Sequence, residues 1–200
     1  MAGEGVFIVF EGIDGSGKST HIKKLANELR NIGYYVIETA EPSKDEIGSF
    51  IRRYAKRNDG RLPVEVEALL FAADRRMHLK NVIEPALRNG HIVISDRYLH
   101  STLAYQGALG LELDWIRELN RFAMKADLTI LLDILPEFSL QRMKRKKTVF
   151  EETDYLSKVR GIYLEFVKQG EMVKIDADRS KKVIYEEILA LVKTFLSEWD

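Results

Sequence analysis

Residues 12–19 read Gly-Ile-Asp-Gly-Ser-Gly-Lys-Ser. This is the G-x-x-x-x-G-K-[ST] spacing of a phosphate-cradling loop. Glycines let the backbone turn tightly with its N–H groups pointing inward at phosphate oxygens. At this spacing Lys18 reaches the β- and γ-phosphates of a nucleotide, and the Ser19 hydroxyl suits Mg²⁺. A β-rich apolar run precedes the loop and a helical pattern follows it, adding the positive end of a helix dipole. A glycine turn beside a solvated lysine is the plain alternative, and that context argues against it. The loop by itself specifies phosphate binding and no reaction.

A second group of chemistry-bearing residues lies downstream. The apolar run 91–95 ends in Asp96-Arg97-Tyr98. At the carboxyl end of a strand in an open α/β sheet, an Asp can hold Mg²⁺ through water or orient an acceptor, and Arg can clamp a phosphate two-pronged. A turn-forming Asp beside a surface Arg is the other reading of the same residues. Tyr105 offers a flat face with a hydroxyl, and Gln106 can pair with a base or bridge hydroxyls. Phe71 and Arg75 lie four apart in a helical stretch and share a face. Periodicity alone favours a core Phe beside a surface Arg; a stacking platform with a guanidinium one turn away is the alternative. The run Lys144-Arg145-Lys146-Lys147 reads as a solvated face, or as a loop that carries a cation to a transferring phosphate.

The elements that must position these groups are legible as alternating patterns. Apolar runs at 6–10, 34–37, 91–95, 128–133 and 172–175 predict strands, four of them with several β-branched residues. Stretches with apolar residues at i, i+3, i+4 spacing predict helices over 18–32, 64–89, 113–125 and 181–199. Strands alternating with helices imply parallel pairing and right-handed crossovers, hence an α/β sandwich with a five-stranded parallel sheet covered on both faces. Gly33 and Gly90 fall where helices need a C-cap, and Pro85 predicts a kink or an end in the third helix.

Composition bounds the function. The chain has 200 residues, 46% of them hydrophobic, enough for one domain, 1–200, with a sizeable core. Lys plus Arg and Asp plus Glu both number 31, so there is no basic excess for non-specific nucleic-acid binding, and any anion site is local. There is no cysteine, so disulfides and thiolate metal sites are ruled out. No signal peptide and no membrane span is read, and the expectation is a soluble, cytoplasmic protein. An Asn-Lys-x-Asp guanine-reading segment is absent.

Taken as a set, these residues resemble thymidylate kinase, in its prokaryotic and archaeal branch, through nearly the whole chain. Phe10-Glu11-Gly12-Ile13-Asp14-Gly15-Ser16-Gly17-Lys18-Ser19-Thr20 is similar to the family's phosphate loop. That match implies ATP on Gly12–Thr20, with Asp14 bonded to the 3′-hydroxyl of dTMP. Glu41-Pro42 resembles a Glu-Pro turn in which the peptide before Pro is often cis. The 69–75 stretch resembles the thymine segment, which implies that Phe71 stacks on the base and Arg75 bonds its edge, reversing the reading from periodicity. The match at 96–98 implies that Arg97 holds the acceptor phosphate and Asp96 acts at the Mg²⁺–phosphate centre. Tyr105 and Gln106 match the nucleoside pocket, and the 175–180 segment with Arg179 matches the loop beside adenine. Two positions depart from the pattern. Ala40 stands where many bacterial relatives carry Arg, leaving Arg52 or Arg53 to contact the acceptor phosphate. Gly15 stands where some members carry a catalytic Arg, leaving a short basic lid at about 142–155, with Arg145 and Lys146, to supply that charge. The resemblance also implies a homodimer with ATP and dTMP as substrates and Mg²⁺ as cofactor. Another acceptor such as dUMP, or a non-catalytic ATP-dependent switch, is the alternative.

Overall fold

The computed structural model describes residues 5–55, 62–143 and 149–199. Along the chain the elements are β1 (Val6–Glu11), α1 (Lys18–Asn31), β2 (Val36–Ala40), α2 (Glu46–Tyr54) and α3 (Val64–His78). A π-helical turn (Leu79–Ile83) leads into α4 (Glu84–Arg88), followed by β3 (Ile92–Asp96), α5 (Leu99–Gly107) and α6 (Leu113–Leu119). The chain then forms β4 (Leu128–Asp133), α7 (Pro136–Met143), α8 (Val149–Lys168), β5 (Val173–Asp176) and α9 (Lys181–Trp199).

Among the described residues the strands form one parallel sheet in the order β2-β3-β1-β4-β5. β1 is buried along its whole length, as its unbroken apolar run requires. Successive side chains point to opposite faces. Ile8 and Phe10 enter a core with Leu25 and Leu29 of α1 and Val192 of α9, whereas Phe7 and Val9 pack with Leu79, Ile83 and Val93 on the other face. Register brings Phe10, Ala40 and Asp96 level, so the loops after β1, β2 and β3 open side by side at one edge.

Three expected boundaries differ for physical reasons. The stretch 34–35 belongs to the cap of α1: Gly33 N–H bonds Arg30 O and Tyr34 N–H bonds Leu29 O, closing the helix before β2 begins. The 64–89 stretch is not broken at Pro85. Pro has no N–H, and its ring crowds the carbonyl four residues back; the wider π turn just before α4 absorbs both. The expected helix over 113–125 stops at Leu119, because the Asn120 side chain donates to Ile116 O and turns its own oxygen elsewhere.

α2 is held close to the segment after β2. A Cβ on Gly48 would fall 2.1 Å from Ser43 O and 2.7 Å from Asp74 Oδ1. The buried Asp74 carboxylate already accepts from the Ser43 N–H at 2.7 Å and the Ser43 hydroxyl at 2.5 Å. Gly48→Ala is therefore expected to lose about 2–3 kcal/mol by overpacking, read as a lowered midpoint in denaturant unfolding.

Candidate active site

The loop after β1 wraps around the start of α1, whose first turn has no side-chain cap. Thr20 N–H turns back to Gly17 O, and the N–H groups at the very start of the helix are left for an anion. Gly12 has φ 135, and a Cβ there would lie 2.5 Å from Leu132 O, so only glycine fits. Lys18 is buried, and its Nζ donates to Gly12 O at 2.9 Å and Ile13 O at 3.1 Å. Burial, and then the Arg97 charge, push its ammonium down to about 8. The Ser19 hydroxyl donates to Asp96 Oδ2 at 2.6 Å, joining the loop to the end of β3. These are two hard oxygen donors side by side. Among the described residues no group of three or more His, Cys, Asp or Glu forms a metal cage. Such a pair suits Mg²⁺, which keeps several waters and binds through one or two protein oxygens plus phosphates.

Beyond β3, Arg97 adopts φ 74, a left-handed conformation that costs a side-chain-bearing residue about 1–2 kcal/mol. Its N–H bonds Phe10 O at 2.9 Å, and its carbonyl accepts from Ser95 Oγ at 2.7 Å. The twist sends the guanidinium back over the phosphate loop. There Nη2 donates to Asp14 Oδ1 at 2.7 Å and to Tyr105 OH at 3.1 Å, and Nη1 donates to Ser101 Oγ at 2.9 Å. The guanidinium lies 4.9 Å from the Tyr105 ring centroid.

Beneath this cluster lies Glu11, to which the sequence reading gave no role. It is fully buried and accepts from Tyr98 N–H, Ser101 N–H, Ser101 Oγ and Tyr163 OH at 2.6–3.1 Å. One carboxylate thus holds the start of α5 and a tyrosine of α8 against the phosphate loop. The available signal was an acidic residue ending an otherwise apolar strand.

A cleft of about 1080 Å³ runs over the strand ends. Asp14, Lys18, Ser19, Asp96, Arg97 and Arg179 are among the sequence-derived residues that line it. Arg52 also lines it, with Nη1 on Pro42 O at 2.6 Å, whereas Arg53 is exposed and outside the lining. His21 is a further lining residue that the sequence reading missed; burial, with Lys24, Lys181 and Arg142, lowers its pKa. Arg145 and Lys146 lie outside the described residues.

Arg75 reaches Thr102 and Gln106 reaches Glu67, so α3 meets α5 there, and Phe71, Arg75, Tyr105 and Gln106 are not among the residues lining the cleft. Gln106 is buried and reaches Glu67 at 3.4 Å. Arg75 is fully buried, not the surface arginine that periodicity favoured. Its Nε and Nη2 donate to Glu41 Oε2 at 3.0 and 2.7 Å, and Nη2 also meets Tyr98 O and Thr102 Oγ1. Glu41 is steadied in turn by His78 Nδ1 at 3.2 Å, and the Glu41–Pro42 peptide is cis.

Residues 10–188 match the family model described as thymidylate kinase. The chain belongs to that family. It is 45% identical to the probable thymidylate kinase of Pyrococcus abyssi, across 94% of this chain and 96% of that protein. It is 44% identical to the one of Thermococcus kodakarensis, across 96% of this chain and 100% of the relative. A third, from Pyrococcus horikoshii, is 46% identical across 94% and 96% of the two chains. In this thymidylate kinase family member, Ala40 leaves Lys44 and Arg52 as the cations lining the cleft beside Glu41 and Pro42.

Proposed function

We propose that this chain transfers the γ-phosphate of ATP to the phosphate of dTMP, giving ADP and dTDP. The observation that carries this reading is the meeting of two kinds of phosphate-binding group at one set of strand ends. Lys18 with the Ser19–Asp96 pair forms one, and the Arg97–Asp14–Tyr105 cluster forms the other.

ATP lies along Gly12–Thr20 with its base toward Arg179, and dTMP lies across the end of β3. An oxygen of the dTMP phosphate attacks the γ-phosphorus. The bond from that phosphorus to the β–γ bridging oxygen breaks, and ADP departs with the electron pair. Little covalent chemistry falls to the protein, and catalysis consists of positioning and charge neutralisation. Lys18 holds the β/γ-phosphates, and Arg97 grips the acceptor phosphate, with Arg52 in place of the arginine missing at Ala40. Asp14 accepts from the 3′-hydroxyl, while Phe71, Arg75, Tyr105 and Gln106 receive the base and sugar. The Ser19 hydroxyl and the Asp96 carboxylate would hold Mg²⁺, which when bound neutralises charge on the phosphate oxygens. Arg145 or Lys146, in the expected basic lid, brings the cation that Gly15 does not supply, and water is kept from the reacting phosphates.

The family likeness further supports one kinase domain over 1–200, acting in the cytoplasm as a homodimer. Apolar side chains exposed on α2 and α3 (Phe50, Val66, Leu69 and Met77) favour pairing of that kind. No helix among the described residues is long and apolar enough to cross a membrane.

An ADP-release assay with ATP·Mg²⁺ and dTMP, dUMP, dCMP, dGMP or AMP, with products identified by mass, tests the reading. The expected result is dTMP fastest and dUMP about tenfold or more behind, the discrimination a methyl-sized pocket gives, with the others far slower. Preferred turnover of another acceptor would overturn the roles of Phe71 and Arg75. ATP binding without transfer to any acceptor would mark a nucleotide-dependent switch instead.

A further inference from the structure

Asn120 is buried directly after α6, forty-five positions from Arg75, and belongs to none of the motifs above. Its two polar atoms are both committed. Nδ2 donates to Ile116 O at 2.8 Å, and Oδ1 accepts from Arg75 Nη1. The first bond determines the second: turning the amide over would set an NH₂ against the guanidinium and an amide oxygen against the Ile116 carbonyl oxygen.

The other acceptors on Arg75 all sit on its opposite side. A single Glu41 oxygen takes both the Nε and Nη2 bonds, and Tyr98 O and Thr102 Oγ1 also lie at Nη2. Among the described residues Asn120 supplies the acceptor at Nη1, the end of the guanidinium that the other partners leave unheld. It also occupies one of the two Nη1 hydrogens, and among the described residues no acceptor meets the other.

We propose that Asn120 is a positioning residue for acceptor-base selection: by holding Arg75 Nη1 it aims the remaining N–H at a ring carbonyl. This rests on the reading that Arg75 bonds the acceptor's base edge. A pyrimidine with a carbonyl at position 4 accepts that hydrogen, whereas one with an amino group there presents a second donor and is rejected.

The test compares kcat and KM for dTMP and dCMP in the full-length protein and three variants, with thermal melts alongside. Asn120→Ser keeps a hydroxyl that can bond the carbonyl four residues back but falls short of Arg75. Its KM for dTMP should rise about tenfold, as expected when one bond to a charged group is given up, with kcat little changed and the dTMP:dCMP ratio falling. Asn120→Asp keeps an oxygen against Nη1 and should restore the ratio even where its melting temperature drops. Arg75→Lys keeps the charge beside Glu41 but not the fork, and should lose the ratio. A wild-type ratio in Asn120→Ser with a lost ratio in Arg75→Lys would overturn the role of Asn120 alone. A wild-type ratio in Arg75→Lys would overturn the reading of Arg75 and this inference with it. Should Asn120→Ser fail to fold, Asn120→Asp decides: a collapsed ratio in a folded Asn120→Asp protein also overturns the inference.

Discussion

Lys18→Ala should reduce phosphate transfer by about three orders of magnitude or more, the scale for removing a pre-organised charge at a reacting phosphate, while leaving the fold intact. The two halves of this expectation share one cause. In the structure the Lys18 ammonium is buried and bonded to the Gly12 and Ile13 carbonyls. Burial is also the main reason its pKa falls to about 8. Because the folded value lies below the unfolded one, the buried charge lowers stability at neutral pH, and this penalty disappears as pH rises from about 8 toward 10.5. Removing the side chain relieves that penalty, so the melting temperature at pH 7 should hold or rise. The intact protein should in turn lose affinity for ATP as pH rises through about 8 and the free lysine gives up its proton. A well-folded Lys18→Ala protein with near-normal turnover would remove the lysine from the mechanism.

The second large effect belongs to Arg97. Arg97→Met should lower kcat/KM for dTMP by about a thousandfold, because a two-pronged grip on a phosphate and a charge near the transferring group are lost together. Arg97→Lys should recover only part of this. An ammonium keeps the charge but not the fork, and it loses the contacts that Nη1 and Nη2 make with Ser101, Asp14 and Tyr105. ATP affinity, measured by calorimetry, should change little in both variants. Steady-state kinetics should show KM for dTMP rising and kcat falling. Equal loss of ATP and dTMP binding would place Arg97 on the donor side instead.

Much of this architecture was legible from local signals. The apolar runs met four of the five strands to within one residue at each end, whereas β2 starts two residues and ends three residues later than expected; β1 and β4, buried along their whole length, leave little choice of residue. The phosphate loop was legible because its function lies in backbone geometry that only a fixed glycine spacing permits. What the residue pattern alone misread depends on distant contacts. Periodicity made Arg75 a surface residue; its burial depends on Glu41, Thr102 and Asn120, from segments far apart in the chain. Helix α6 ends early for the same reason, since Asn120 serves Arg75 rather than a continuing turn. Glu11 was quoted in the loop motif, but its role as the anchor of α5 and Tyr163 needs partners up to 152 positions away. Pro85 was a correct sign of disturbance, but the π turn that accommodates it leaves no residue signature of its own.

The most direct test of the central claim is a single-turnover experiment with excess protein, γ-labelled ATP and Mg²⁺, with and without dTMP. The account predicts that with dTMP the label passes to dTDP in one fast phase, and that without it ATP stays largely intact, because the site is built to position an acceptor phosphate and exclude water. Label released as inorganic phosphate at the same rate in both reactions, with none in dTDP, would contradict it.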